Sequence, residues 1–167
     1  MTGKHCSILF AALLLAGCAS GPAPVSDNGT GPLVTPAPRK QPARSDRRER
    51  VVETVQAMLG VPYRYGGTTR AGFDCSGLVW YSHRRAGLRV PRTSVEQYRA
   101  VKKVSRHAMK AGDVLFFKTG WTRGYHVATY IGAGLFVHAP SSGRRVRTDS
   151  LDKPYWRKRL VRVGNFY

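Results

Sequence analysis

The chain has 167 residues, 28 Lys plus Arg against 9 Asp plus Glu, a formal net charge of +19 and 3 Cys. That length gives room for one ordinary domain and argues against a multidomain enzyme, 42% hydrophobic residues exclude a disordered polycation, and three Cys exclude a disulfide-built scaffold. So much positive charge calls for an anionic partner, and nucleic acid, an anionic membrane face and an anionic wall polymer all qualify on charge alone.

The N-terminus speaks first. Ile8 to Ala16 is an unbroken apolar run of nine residues behind Lys4 and His5. A span needs about 20 residues, so the run reads as the core of an export signal, residues 1–17. Leu15-Ala16-Gly17-Cys18 resembles the lipobox of bacterial lipoproteins. That resemblance implies cleavage before Cys18, diacylation of its thiol and a lipid anchor in the membrane. Ala19 after the lipidated Cys, where Asp would signal retention, implies the periplasmic face of the outer membrane of a Gram-negative cell. Cys6 leaves with the signal, so Cys75 is the one unmodified thiol of the mature chain.

Residues 18–45 carry Pro22, Pro24, Pro32, Pro36, Pro38 and Pro42 among small polar residues. They form a tether of about 27 residues averaging roughly 30 Å end to end. From residue 46 the pattern is that of a folded domain, 46–167. Val51, Val52, Val55, Met58 and Leu59 predict a helix over 46–60, stopped by Gly60 and Pro62. Asp74 reads as the N-cap of a helix from Cys75 to Arg85 that Gly87 terminates. Ser94-Val95-Glu96-Gln97 matches a capping box and starts a short third helix. Strands are predicted at Val114–Lys118, Tyr125–Ile131, Leu135–Ala139, Arg144–Arg147 and Leu160–Val163. Helices followed by an antiparallel sheet make the class α+β, with the N-terminal helices packed on the sheet.

Cys75 falls in the first turn of its helix, where free N–H groups and the helix dipole favour a thiolate. Asp74 works partly against this, so a base is needed. His126 and His138 are the candidates. If Gly132-Ala133-Gly134 is a three-residue loop, Ile131 pairs with Leu135, Ala128 lies opposite His138, and the two histidines share a face as diagonal neighbours. A two-residue loop shifts the register by one and sends them to opposite faces. On the favourable register, Cys75 attacks a carbonyl, His126 takes and returns the proton, and His138 orients His126. Tyr63 offers a hydroxyl at the mouth, and Asp74 and Ser76 flank the nucleophile. No Cys or His cluster has zinc spacing and no phosphate-binding glycine loop is present, so no metal or cofactor is expected.

Phe73-Asp74-Cys75-Ser76-Gly77-Leu78-Val79, Ala111-Gly112-Asp113-Val114-Leu115-Phe116-Phe117, His126-Val127-Ala128-Thr129-Tyr130-Ile131-Gly132 and Phe136-Val137-His138-Ala139 resemble, in order and spacing, the NlpC/p60 family of cell-wall cysteine peptidases. The resemblance covers about residues 47–167. It is strongest to the Spr-like murein endopeptidase lipoproteins, which share the Pro-Tyr-x-x-Gly-Gly element ending here at Gly67. It implies a papain-like fold, Cys75 as nucleophile, His126 as general base, His138 as third polar residue and Tyr63 near the oxyanion. Ala128-Thr129 replaces a common Gly-Ile pair, a change expected to adjust packing.

The family hydrolyses peptide bonds of peptidoglycan stems and crosslinks. A lipid-anchored domain on a tether suits crosslink endopeptidase action on the sacculus; cleavage of the γ-D-glutamyl-diaminopimelate bond is the alternative. A non-hydrolytic murein-binding lipoprotein and an acyltransferase on the same fold remain as other classes. Export argues against nucleic acid as partner. Arg84-Arg85, Arg144-Arg145-Val146-Arg147 and Arg157-Lys158-Arg159 then serve either solubility or contact with stem carboxylates or lipid head groups. A regulatory adaptor or protease is left unspecified.

Overall fold

The computed structural model describes residues 43–120 and 124–167. The expected signal, the lipidated Cys18 and nearly all of the expected tether lie outside the described residues.

Helix α1 spans Arg44–Gln56, and Asp46 accepts the N–H of Ala43 at 3.2 Å to close its first turn. Val51 and Val55 face the core, as their spacing predicts. The helix ends a turn earlier than expected. Residues 57–60 tighten into turns, Gly60 takes φ +82°, and its N–H leaves the helix to bond the Val146 carbonyl at 2.9 Å.

A short ribbon, β1 (Thr68–Thr69) with β2 (Gly72–Phe73), leads into α2, Cys75–Arg85. Gly87 ends α2 with φ +77°, and the Leu88 N–H reaches back to the His83 carbonyl at 3.0 Å. Helix α3, Ser94–Ala100, is capped one residue earlier than expected. Thr93 is the N-cap, because the reciprocal bonds run between Thr93 and Glu96 rather than between Ser94 and Gln97. Gln97 instead turns inward, buried, and donates to the Ser76 and Pro91 carbonyls.

The six-stranded antiparallel sheet runs in the order β3 (Lys102–Val104), β8 (Leu160–Asn165), β4 (Val114–Phe117), β5 (His126–Gly132), β6 (Leu135–His138), β7 (Arg147–Ser150). Alternation along β4 shows its two faces. Val114 and Phe116 pack with Val51 of α1 and Val79 of α2, while Leu115 and Phe117 pack with Trp156 of α4, Pro154–Arg159. The result is α+β with helices on both sides of an antiparallel sheet, so the expected class holds.

Two expectations are corrected. The strand expected at Arg144–Arg147 begins only at Arg147. Residues 144–146 are drawn to the loop before the ribbon instead, where Tyr63 N–H bonds the Arg144 carbonyl at 2.8 Å and Val146 N–H the Val61 carbonyl at 2.8 Å. The hairpin is not closed by three residues either. Gly132 pairs with Leu135, leaving Ala133 and Gly134 as a two-residue turn, both at positive φ. Ile131 is then an extra residue, a bulge between the Tyr130–Phe136 and Gly132–Leu135 pairs. The shorter loop and the bulge each shift the register by one and cancel, so Thr129 still pairs with Val137 and the two histidines still share a face.

A candidate cysteine–histidine site

Asp74 builds the start of α2. Its Oδ1 accepts the Gly77 N–H at 2.6 Å, the Ser76 hydroxyl at 3.0 Å and Arg92 Nη1 at 3.1 Å; its Oδ2 accepts the Gly66 N–H at 3.0 Å and Arg92 Nη2 at 2.6 Å. This carboxylate therefore clamps three pieces of chain: the glycine loop, the helix start and the segment before α3. Its electrons are committed to these donors. Ser76 is buried, and its hydroxyl also accepts from Arg92 at 3.0 Å, so Asp74 and Ser76 hold the nucleophile's surroundings in place. Arg92 escaped the sequence reading because nothing local distinguishes it among 28 basic residues; only the fold brings it to Asp74.

Cys75 follows directly, half-buried against Val79 and Val127. Burial is the main cause pushing its thiol up to about 11, and the Asp74 charge adds to this. The backbone N–H groups of Val127, Ser76 and Cys75 act in the other direction by hydrogen bonding the sulfur. The Val127 contact ties the sulfur to the residue after His126.

His126 opens β5 and is buried on the face that α4 covers. Its Nε2 lies 2.8 Å from His138 Nδ1, and the rings meet at 83°. Trp156 stacks on His126 with ring centroids 5.5 Å apart and meets His138 edge-on. Burial, helped by the Arg147 charge, pulls His126 down to about 4. Burial also pulls His138 down to about 3, aided by His126, Arg147 and Lys153 and opposed by Asp149. Both imidazoles are neutral at pH 7.

A cleft of about 520 Å³ opens over Cys75, with Tyr63, Tyr65, Arg92, Ser94 and Tyr125 among its lining residues. Burial, then the nearby Cys75 and Asp74, raise the Tyr63 phenol above its ordinary value, so the hydroxyl keeps its proton and is available as a donor. Tyr125, the residue before His126, stacks on Tyr98 at 3.9 Å between ring centroids, with Lys118 against Tyr125 and Arg162 against Tyr98. This stack was not expected from sequence, since the partners lie on separate elements. It fixes the approach of the chain to β5.

Two of the three side chains singled out from sequence, His126 and His138, thus meet directly, and Cys75 touches the backbone of Val127, the residue after His126. A half-buried thiol at a capped helix start, in contact with the strand that carries one histidine, and a second histidine hydrogen-bonded to the first define a cysteine–histidine site on an α+β fold. Residues 60–165 match the NlpC/P60 family, and the chain belongs to it. It is 43% identical over 115 residues to the murein DD-endopeptidase MepS/murein LD-carboxypeptidase of Escherichia coli (strain K12), covering 68% of this chain and 60% of that protein. It is 36% identical over 157 residues to the probable endopeptidase NlpC of the same organism, covering 93% of this chain and 94% of that one. The fold matches the crystal structure of an NlpC/P60 family protein from Bacillus cereus ATCC 10987 with a TM-score of 0.67 at 31% identity, covering 75% of this chain and 41% of the other. The chain therefore spans less than two thirds of MepS and of the Bacillus cereus protein, and nearly all of NlpC.

Proposed function

We propose that the protein is a cysteine-type peptidoglycan endopeptidase that hydrolyses stem-peptide crosslinks of the sacculus. The observation that carries this reading is the His126–His138 hydrogen bond on the strand that touches Cys75. Family membership and a relative named as a murein endopeptidase support the substrate class.

In this mechanism Cys75 Sγ attacks the carbonyl carbon of the scissile amide while His126 accepts the thiol proton. The carbonyl oxygen becomes an oxyanion, for which the Cys75 backbone N–H and the Tyr63 hydroxyl are the nearby donors. The C–N bond breaks, and His126 returns the proton to the leaving amine. Water then attacks the thioester, His126 takes its proton, and the carboxylic acid departs as the proton goes back to sulfur. His138 accepts the Nε2–H of His126 throughout, which leaves Nδ1 as the nitrogen that takes the proton.

The export signal, lipidation of Cys18 and residence at the periplasmic face of the outer membrane belong to the same proposal. A tethered enzyme reaches a wall polymer from an anchor in the membrane, and the sequence pattern at residues 8–18 supports that placement. Two experiments test the reading. Sacculi digested by wild type and by Cys75→Ala are compared by chromatography and mass analysis. Loss of crosslinked dimers with the wild type alone is expected; dimers persisting while monomeric stems are cut would move the reading to the γ-D-glutamyl bond. Metabolic labelling with a palmitate analogue should mark the wild type and not Cys18→Ser.

A further inference from the structure

His138 has a second nitrogen. Its Nδ1 is taken up by His126, and its Nε2 faces two groups of opposite character on β7. Asp149 Oδ2 lies 3.8 Å away, and Arg147 Nε lies 3.5 Å away. Both groups come from the strand paired beside β6, where His138 pairs with Arg147 and Phe136 with Asp149. His138 is fully buried and the Asp149 side chain is 3% exposed, whereas the Arg147 side chain is 46% exposed.

Proton positions follow from these contacts. For His126 to accept a proton on Nδ1, its own proton must sit on Nε2, donated to His138 Nδ1. His138 must then carry its proton on Nε2, where only an acceptor is welcome. The opposite arrangement puts the His138 proton on Nδ1, donates it to His126 Nε2, and leaves His126 with Nδ1 already protonated and useless as a base. Asp149 favours the first arrangement and Arg147 the second.

We propose that Asp149 is a positioning residue that selects the productive tautomer of the His126–His138 pair through its charge 3.8 Å from His138 Nε2. The inference rests on the proposed role of His126 as base. Asp149 is itself firmly held. Its Oδ1 accepts Lys153 Nζ at 2.5 Å and the Ser150 N–H at 3.1 Å, and Trp156 hydrogen bonds it as well. Burial pushes its carboxyl up, but these donors more than offset that, so it stays ionised below the usual carboxylate range. Arg147 Nη2 reaches the same Oδ2 at 3.4 Å, which draws part of the guanidinium away from the imidazole. The groups facing His138 are thus His126, Arg147, Asp149 and Lys153.

The held Oδ1 makes one substitution unusually informative. In Asp149→Asn, the amide oxygen takes the place of Oδ1, since Lys153 at 2.5 Å and the Ser150 N–H at 3.1 Å both donate there, against the single longer contact of Arg147 Nη2 at Oδ2, 3.4 Å. The amide N–H groups must then face His138 Nε2 and force it to accept, which is the unproductive tautomer. Asp149→Ala leaves a gap that water can fill in either sense. The expected order in kcat on crosslinked muropeptides is wild type, then Ala, then Asn, with Asn lower than wild type on the order of a hundredfold and KM little changed. A packing role predicts the reverse, since Asn has the shape of Asp. Asn as active as Ala, or more active, would overturn the proposal. Nitrogen-15 NMR of the wild-type histidines gives a second reading that needs neither variant nor substrate: His138 should carry its proton on Nε2 in the resting protein, and a proton on Nδ1 would equally overturn it. A wild type that fails to digest sacculi would sink the functional reading, while the NMR result would still decide the tautomer.

Discussion

His126 Nε2 sits 2.8 Å from His138 Nδ1 with the two rings nearly perpendicular at 83°. The edge of one imidazole is aimed at the lone pair of the other, under a lid formed by Trp156. Geometry of this kind fixes ring orientation as well as proton position, which is what a base working on one particular sulfur requires.

Replacing members of the site should therefore give a graded series. Cys75→Ala should abolish turnover of sacculi without altering the circular dichroism spectrum, because it removes only the weak N–H contacts to sulfur and leaves the Asp74 bonds to Gly77 and Arg92 in place. His138→Ala should lower kcat by about 10²-fold, and His138→Gln, whose amide oxygen can still accept from His126, by less. A His138→Ala enzyme as fast as the wild type would show that the pair contributes nothing to turnover.

The acid side of the pH–activity profile should lie well below the free-imidazole value of about 6.5. His126 works as a base only when neutral, and burial followed by the Arg147 charge brings it down to about 4. Activity should stay level from pH 7.5 through 6.5 to about 5.5, where an unperturbed histidine would already be mostly protonated. Arg147→Gln removes one cause of the lowering and should move the acid limb upward. A limb centred near 6.5 in the wild type would contradict a buried base.

Stability should fall in the same acid range, for a related reason. His83, like the pair, is buried and held down, to about 4, chiefly by burial. All three histidines have lower proton affinity folded than unfolded, so their contribution is fully present above about pH 6.5 and is lost as pH falls toward 4 and 3. Each tenfold loss of proton affinity on folding corresponds to about 1.4 kcal/mol, so the loss across this window is large enough to read in a urea midpoint. The urea midpoint should drop steeply between pH 6.5 and 4.5, and a flat profile there would mean the histidines are solvated in the native state.

Much of this was legible in the sequence because it is local. The Asp74 cap and the Gly87 stop are encoded within a few residues, so α2 runs from Cys75 to Arg85 as expected. The alternation of β4 to β6 reports two buried faces. What failed depended on distant chain. Residues 144–146 carry a strand pattern, yet the loop at Val61 to Tyr63 takes their hydrogen bonds. Helix α4 was missed because its six residues hold three basic side chains and a single buried one, Trp156, which leaves no periodicity to read. The same holds for Arg92 and Asp149: each acquires its role through a partner on another element. The hairpin shows a subtler limit: a two-residue loop by itself sends the histidines to opposite faces, and the extra residue Ile131, which no local pattern announces, restores their shared face.

Gly77 offers the sharpest test of how the nucleophile is placed. A Cβ there would lie 2.0 Å from the Gly67 carbonyl oxygen and 3.1 Å from Asp74 Oδ1. The Gly67 carbonyl cannot yield easily, since it accepts the Asp74 N–H at 3.2 Å, and a Cβ at Gly67 would itself meet the Gly72 carbonyl at 2.3 Å. In Gly77→Ala the first turn of α2 must back away, stretching the Gly77 N–H to Asp74 bond and carrying Cys75 with it. Helix propensity alone favours Ala over Gly by about 1 kcal/mol, whereas overpacking of this kind costs about 1–3 kcal/mol or more. Gly77→Ala should lower both the urea midpoint and kcat. Gly87→Ala, at φ +77° with open space around it, should cost about 1 kcal/mol of stability and leave kcat intact. If Gly77→Ala instead matches the wild type in both measurements, contact between the glycine loop and α2 is not what sets the position of Cys75.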